Sequence, residues 1–275
     1  MGWGIHMGIS EQSLRDMYLD LMRDILINEI YKDPPMKPVR GKLKKILGGG
    51  KYEADQSFDV DRRTLGQDWP SVAHSMIGRK RMDNLRLAVS SVVENGVPGD
   101  MVETGVWRGG ACIYMRAILK SYGATDRTVW VCDSFEGLPK PDAAYVADKD
   151  DMLYKAADVL AISKEQVANN FRIYGLLDDQ VRFLKGWFKD TLPTAPIDQI
   201  AVLRLDGDMY QSTMDALQAL YPKVSPGGYV IIDDYHALDS CSQAVHDYLK
   251  NEQPDEVADI KEIDGTGVYW VRQSA

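Results

Sequence analysis

The sequence predicts an α/β protein with a Rossmann-like, mostly parallel sheet covered by helices on both faces. Three observations predict it. Apolar runs such as "TVWVCDSF" and "IAVLRLDGD" are short and continuous, as in strands buried on both faces rather than one. From about residue 70 such runs alternate with segments of helical period, the pattern of successive βαβ units. Glycines and acidic residues then gather where strands end, which is where a parallel sheet binds its ligands.

The elements follow in order. Residues 10 to 31 carry Leu14, Met17, Tyr18, Leu21 and Ile25 at helical spacing, with Ser13 and Asp16 as a start signal. The next stretch, to about residue 69, is rich in Pro, Gly and charge and reads as a mobile connector, a candidate lid. "SVAHSMIGRKRMDNLRLAVSSVVENG" is helical in period and stops at Gly96. Strand and helix then alternate: "DMVETG", "ACIYMRAILKSYG", "TVWVCDSF", "KEQVANNFRIYG", "VRFLKGWF", "IAVLRLDGD", "TMDALQALYPKV", "YVIIDDYH" and "CSQAVHDYLKN". "VADIKEI" and "GVYWVRQ" are separated by "DGTG", a hairpin signal that makes one strand at the C-terminal edge antiparallel. An excursion from 139 to 163 is the other long insertion and a candidate wall of the site. The division expected is 1–69, an N-terminal helix and lid, and 70–275, one ligand-binding domain.

Composition narrows the function. A formal net charge of -9 leaves no basic excess for a nucleic-acid or anionic-membrane partner, so a small-molecule partner is expected. Cys112, Cys132 and Cys241 show neither paired spacing nor an even count, which fits a reducing cytoplasm better than a disulfide framework. No apolar run reaches the roughly 18 residues of a membrane span.

"DMVETGVWRGGACI" sets Glu103, Gly105, Gly109 and Gly110 between the first strand of the domain and its helix. The spacing is not the G-x-G-x-x-G of a dinucleotide site. Asp133 ends the second strand, where a carboxylate can accept both hydroxyls of a ribose or cap its own turn. An acid and glycine turn on one strand, with an acid at the tip of the next, is the arrangement of S-adenosylmethionine sites. Asp206 with Asp208, and Asp233 with Asp234, stand at the ends of the next two strands. Either pair alone reads as a turn or cap. Both at adjacent strand tips would repel strongly unless a hard, oxygen-preferring cation such as Mg2+ sat among them. Asp208 is the candidate general base, with Asp206 second and His236 and His74 as rivals. A nicotinamide-dependent dehydrogenase and a non-catalytic binding protein are the alternatives.

"VAHSMIG", "ETGVWRGGACI", "RTVWVCDSFEGLP", "YGLLDDQVRFLKGWFKDTLP", "VLRLDGDMY", "SPGGYVIIDDY" and "GVYWVR", in this order, resemble the macrocin O-methyltransferase family, which methylates deoxysugars of antibiotics. The resemblance implies a class I S-adenosylmethionine-dependent methyltransferase fold with a seven-stranded sheet, Mg2+ dependence, a glycosylated antibiotic precursor as substrate and a homodimer. The aminocoumarin branch, which methylates the 4-hydroxyl of noviose, is the nearer in pattern, with a macrolide deoxysugar as the alternative. It further implies that Glu103 and Gly105 face the methionine part, Asp133 with Ser134 the ribose, and Gly186 with Trp187 the adenine. Met76 and Ile77 would border the cofactor, and Asp206, Asp233 and Asp234 would hold the metal. Where catechol methyltransferases carry a lysine, this sequence has Met209, which leaves the base to a carboxylate.

Overall fold

The computed structural model describes residues 10–39, 52–255 and 258–273. The opening "MGWGIHMG" and the middle of the expected lid, 40–51, lie outside the described residues. Helix α1 spans Glu11–Leu26, and its cap is Ser10, whose hydroxyl accepts from the Ser13 amide at 3.1 Å. The cap therefore lies three residues before the start signal read from the sequence. The stripe that packs is also different: Leu19, Met22 and Leu26 are buried, whereas Leu14, Met17, Tyr18 and Leu21 are exposed. Both stripes have helical period, and ion pairs decide between them. Arg86 holds Asp16 at 2.6 Å and Asp20 at 2.9 Å, and Arg23 holds Asp83 at 2.7 Å.

Strand β1 (Met36–Pro38) pairs antiparallel with β2 (Tyr52–Ala54), and α2 (Val60–Thr64) follows. The described part of the expected lid is tied down. Arg63, with no exposed surface, donates to Ile27 O at 2.7 Å and Asp33 Oδ1 at 2.8 Å, and pairs with Asp68 at 3.0 Å. One guanidinium thus joins three stretches of chain. Burial opposes ionisation of Asp33, but Arg63 and the amides of Val72 and Ala73 outweigh it and hold its carboxyl below the ordinary value. Arg63→Ala is expected to lower the unfolding free energy by about 3–5 kcal/mol in urea titration, because two buried carboxylates lose their partner.

The remaining helices are α3 (Gly78–Glu94), α4 (Gly110–Ser121), α5 (Ala157–Leu160), α6 (Lys164–Ile173), α7 (Phe188–Thr191), α8 (Tyr210–Leu220) and α9 (Asp239–Glu252). They flank strands β3 (Asp100–Thr104), β4 (Val129–Asp133), β5 (Val181–Lys185), β6 (Ile200–Leu205), β7 (Val224–Ile232), β8 (Lys261–Glu262) and β9 (Val268–Val271). The seven-stranded sheet has the order β5-β4-β3-β6-β7-β9-β8. Only β9 runs against its neighbours, β7 and β8. The reversed strand sits one place inside the edge, because β8 folds back over it through the Asp264–Gly267 turn, where Asp264 accepts from the Thr266 and Gly267 amides at 3.0 Å each.

Two cores lie on the two faces. On β4, Val129 and Val131 join the layer of α1, α3, α4 and α6, while Trp130 and Cys132 join that of α8 and α9. This alternation within a wholly apolar run is why the sequence shows no period of two there. No helix among the described residues is long and apolar enough to cross a membrane. Strand order reverses between β3 and β6, so the crevice of the fold opens beyond their carboxyl ends.

Candidate active site

The turns after β3, β4, β6 and β7 wall one cavity of about 460 Å³ at that crevice. Met76, Gly105, Asp133, Ser134, Gly186, Trp187, Asp206, Asp208, Asp233 and Asp234 all line it. A small pocket of about 20 Å³ shares Met76 and Asp206 with the cavity and adds Ile77 and Glu103. The structure therefore brings ten of the sequence-predicted site residues to the main cavity and sets Ile77 and Glu103 on the small pocket beside it.

Gly105 has a φ of +83°, and a Cβ on it would stand 1.7 Å from the Asp206 carbonyl oxygen. The contact locks the glycine turn to the acidic turn, and the Asp206 amide donates back to Thr104 O at 2.8 Å. Asp133 accepts from the Val106 amide at 2.7 Å and the Phe135 amide at 2.6 Å. It thereby performs the capping role the sequence allowed for. The Ser134 hydroxyl, at 3.4 Å, and the Trp107 amide also donate to this carboxylate. Burial raises its pKa, against those amides.

Glu103 is buried, with one carboxylate oxygen paired to Arg204 and the other accepting from Cys112 Sγ at 2.7 Å. Burial, opposed by Arg204, pushes its pKa up to about 7. His74, a rival base, is hydrogen-bonded through Nδ1 to the Tyr174 hydroxyl at 2.6 Å, and burial lowers its pKa. His236 is exposed and does not line the cavity.

Asp206, Asp208 and Asp234 each offer one carboxylate oxygen, and the three oxygens lie within 4.8 Å of one another. The trio shares Asp206 and Asp234 with the expected set and adds Asp208; Asp233, the third expected ligand, lines the same cavity and pairs through one oxygen with Arg81 and through the other with Arg204. Asp233 and Asp234 lie just beyond the end of β7, and both line the cavity. Asp208 has a φ of 61°, a left-handed conformation that a non-glycine residue adopts only when its surroundings enforce it. Trp107 and Phe135 are left-handed too, at the tips of β3 and β4.

Arg204 and Arg81 are the residues that sequence reasoning missed. Arg204 is fully buried, touches Glu103 and Asp233, and reaches Asp206 Oδ2 at 2.8 Å. Arg81 also pairs with Asp264 at 2.9 Å and donates to Gly66 O at 3.1 Å. A signal existed: a charge inside "IAVLRL" must have a buried partner, and the nearest acids follow it. Among the described residues, Glu103, Asp206, Asp233 and Asp264 pair with these two guanidiniums, and Asp208 and Asp234 add two further carboxylates. Burial first, and mutual repulsion next, raises the pKa values of Asp206, Asp208 and Asp234. An all-oxygen donor set with an excess of negative charge suits a hard divalent cation and the positive sulfonium of a methyl donor.

Comparison with known proteins agrees with this geometry. The macrocin O-methyltransferase (TylF) family profile matches residues 15–272. The 8-demethyl-8-(2,3-dimethoxy-alpha-L-rhamnosyl)-tetracenomycin-C 4'-O-methyltransferase of Streptomyces olivaceus is 53% identical over 266 residues, 96% of this chain and 95% of that protein. The demethyldecarbamoylnovobiocin O-methyltransferase of Streptomyces niveus is 51% identical, over 93% of each chain. The mycinamicin III 3''-O-methyltransferase of Micromonospora griseorubida is 48% identical, over 94% and 97%. The solved structure of the O-methyltransferase NovP superposes with a TM-score of 0.85 at 49% identity, covering 94% of this chain and all of that one. A motif order, a site geometry and a family match that agree along nearly the whole length leave one conclusion: the chain belongs to the macrocin O-methyltransferase (TylF) family and is an S-adenosylmethionine-dependent O-methyltransferase.

Proposed function

We propose that this methyltransferase acts on a deoxysugar hydroxyl of an antibiotic glycoside, the 4-hydroxyl of a rhamnose- or noviose-type sugar, with Mg2+ held by Asp206, Asp208 and Asp234. The observation that carries the reading is the convergence of those carboxylates on the cavity that the cofactor turn also lines. Two relatives at about half identity support the sugar: one is named for a 4'-hydroxyl on a rhamnosyl tetracenomycin, the other for a novobiocin precursor. The mycinamicin relative is named for a 3''-hydroxyl, which makes a macrolide sugar the second reading. The exposed face of α1, with Leu14, Met17 and Leu21, supports the homodimer, and the reading places the enzyme in the cytoplasm.

In the cradle, Mg2+ would act as a Lewis acid toward a sugar hydroxyl, making it easier to deprotonate. The chain's own residues do the rest. Asp208 accepts the hydroxyl proton as the oxygen attacks the methyl carbon and the carbon–sulfur bond breaks. Asp133 and the Gly186–Trp187 turn hold the adenosine end, and Gly105 and Glu103 the amino-acid end. Holding both reactants in one cavity removes the entropy of their meeting.

The test is calorimetric titration with S-adenosylhomocysteine, then methyl transfer to demethyldecarbamoylnovobiocin and to a 4'-demethyl tetracenomycin rhamnoside, with Mg2+ present and then chelated. Binding, and transfer lost on chelation, is the expected outcome. Binding with metal-independent transfer would return the aspartates to capping, and transfer only to a 3''-demethyl macrolide would establish the second reading.

A further inference from the structure

The wall segment 139–160 contributes Lys140, Asp142, Leu153 and Leu160 to the cavity, and the first turns of α8 contribute Gln211, Ser212 and Asp215 from across it. α8 begins directly after the Asp206–Asp208 turn, and its N-cap residue, Met209, provides no side-chain cap. The helix is capped from a distance instead. Asp148, 1% exposed, accepts from the Tyr210 amide through Oδ1 at 2.7 Å and from the Gln211 amide through Oδ2 at 3.0 Å. The carboxylate also complements the positive end of the helix. Tyr145 and Tyr210 pack beside the joint with ring centroids 6.0 Å apart. The far end of the wall is pinned separately, where Trp107 Nε1 of the glycine turn donates to Val159 O at 2.9 Å.

We propose that Asp148 is a positioning residue: by capping α8 from the wall segment, it fixes the acceptor side of the cavity against the turn that carries Asp206 and Asp208. Two observations select it over a plain surface cap. Its partners are 62 and 63 residues away, so the bonds join two walls of one cavity. The cofactor side, by contrast, is braced by Asp133 and the Gly105–Asp206 contact and does not depend on it. Acceptor binding should therefore need Asp148 while cofactor binding does not. The acceptor half of this inference rests on the function proposed above; the joint itself does not.

The test compares Asp148→Ala and Asp148→Asn with the wild type. In hydrogen–deuterium exchange, Asp148→Ala is expected to speed exchange at Tyr210 and Gln211 together with 139–160, and to leave 104–110 as protected as before. Exchange unchanged at Tyr210 and Gln211 would overturn the joint. With demethyldecarbamoylnovobiocin as acceptor, its KM should rise at least tenfold in the alanine variant, with the S-adenosylhomocysteine Kd within twofold of wild type. Asparagine keeps one of the two acceptor oxygens and replaces the other by an NH2 group that cannot accept, so that variant should fall between. A lowered Tm with KM and kcat unchanged would reduce Asp148 to a structural cap, and an equal loss of cofactor affinity would overturn the selective role. If the wild type fails to methylate the acceptor, the proposed substrate is wrong, and exchange still decides the joint.

Discussion

Asp208→Asn is expected to lower the rate of methyl transfer by about 10²–10⁴-fold, the usual worth of a positioned general base. Cofactor binding should be unchanged, because Asp208 braces none of the turns assigned to it. The same variant carries a stability signature. Burial, then the charges of Asp206 and Asp233, raises the pKa of Asp208 well above that of an unfolded carboxylate. The folded state therefore binds more protons than the unfolded one as pH rises from the ordinary carboxylate range, and stability falls over that window. Asparagine does not titrate, so at neutral pH without divalent cations the variant should be at least as stable as wild type. Mg2+ should raise the Tm of the wild type more than that of the variant. Single-turnover kinetics with thermal melts decides: wild-type rates would exclude Asp208 as proton acceptor and return that role to Asp206.

Arg204→Met should be the most damaging substitution for the fold. Removing one partner of a buried pair typically costs about 3–5 kcal/mol, a large share of the stability of an ordinary domain. Here one guanidinium serves Glu103, Asp206 and Asp233 together. The three acids would then gain protons on folding, so the variant should be least stable at high pH and recover as pH falls. Urea titrations at pH 8 and pH 5.5 measure this. A second substitution, Glu103→Gln, should restore part of the loss at the higher pH, since Glu103 is the acid already pushed up to about 7. Equal destabilisation at both pH values would mean that lost packing, not charge, is the cause.

The main sheet was legible because continuous apolar strands and amphipathic helices differ in period and length. The reversed strand was legible from "DGTG", but its place inside the edge depends on β8 folding back, which no local pattern encodes. The packed face of α1 was misread, since two stripes share one period and the choice lies with Arg86 and Arg23, which are distant in sequence. At the site, residue types and strand-end positions were readable. The pairing of Asp233 with Arg81 and Arg204 was not, because both guanidiniums come from positions distant in sequence. Asp148 gave no signal at all, being 62 residues from the amide it holds.

The contact between Gly105 and the Asp206 carbonyl bears on how such an enzyme can diversify. With no room for a side chain there, the glycine turn and the acid turn cannot drift apart independently, and the two strand tips are constrained as a block. Adaptation to a new acceptor is then expected in the other lining segments, among them the wall segment and the N-terminal stretch carrying Gly66 and Trp69. Directed evolution toward new glycosides should concentrate its libraries on those two segments and hold the strand tips constant.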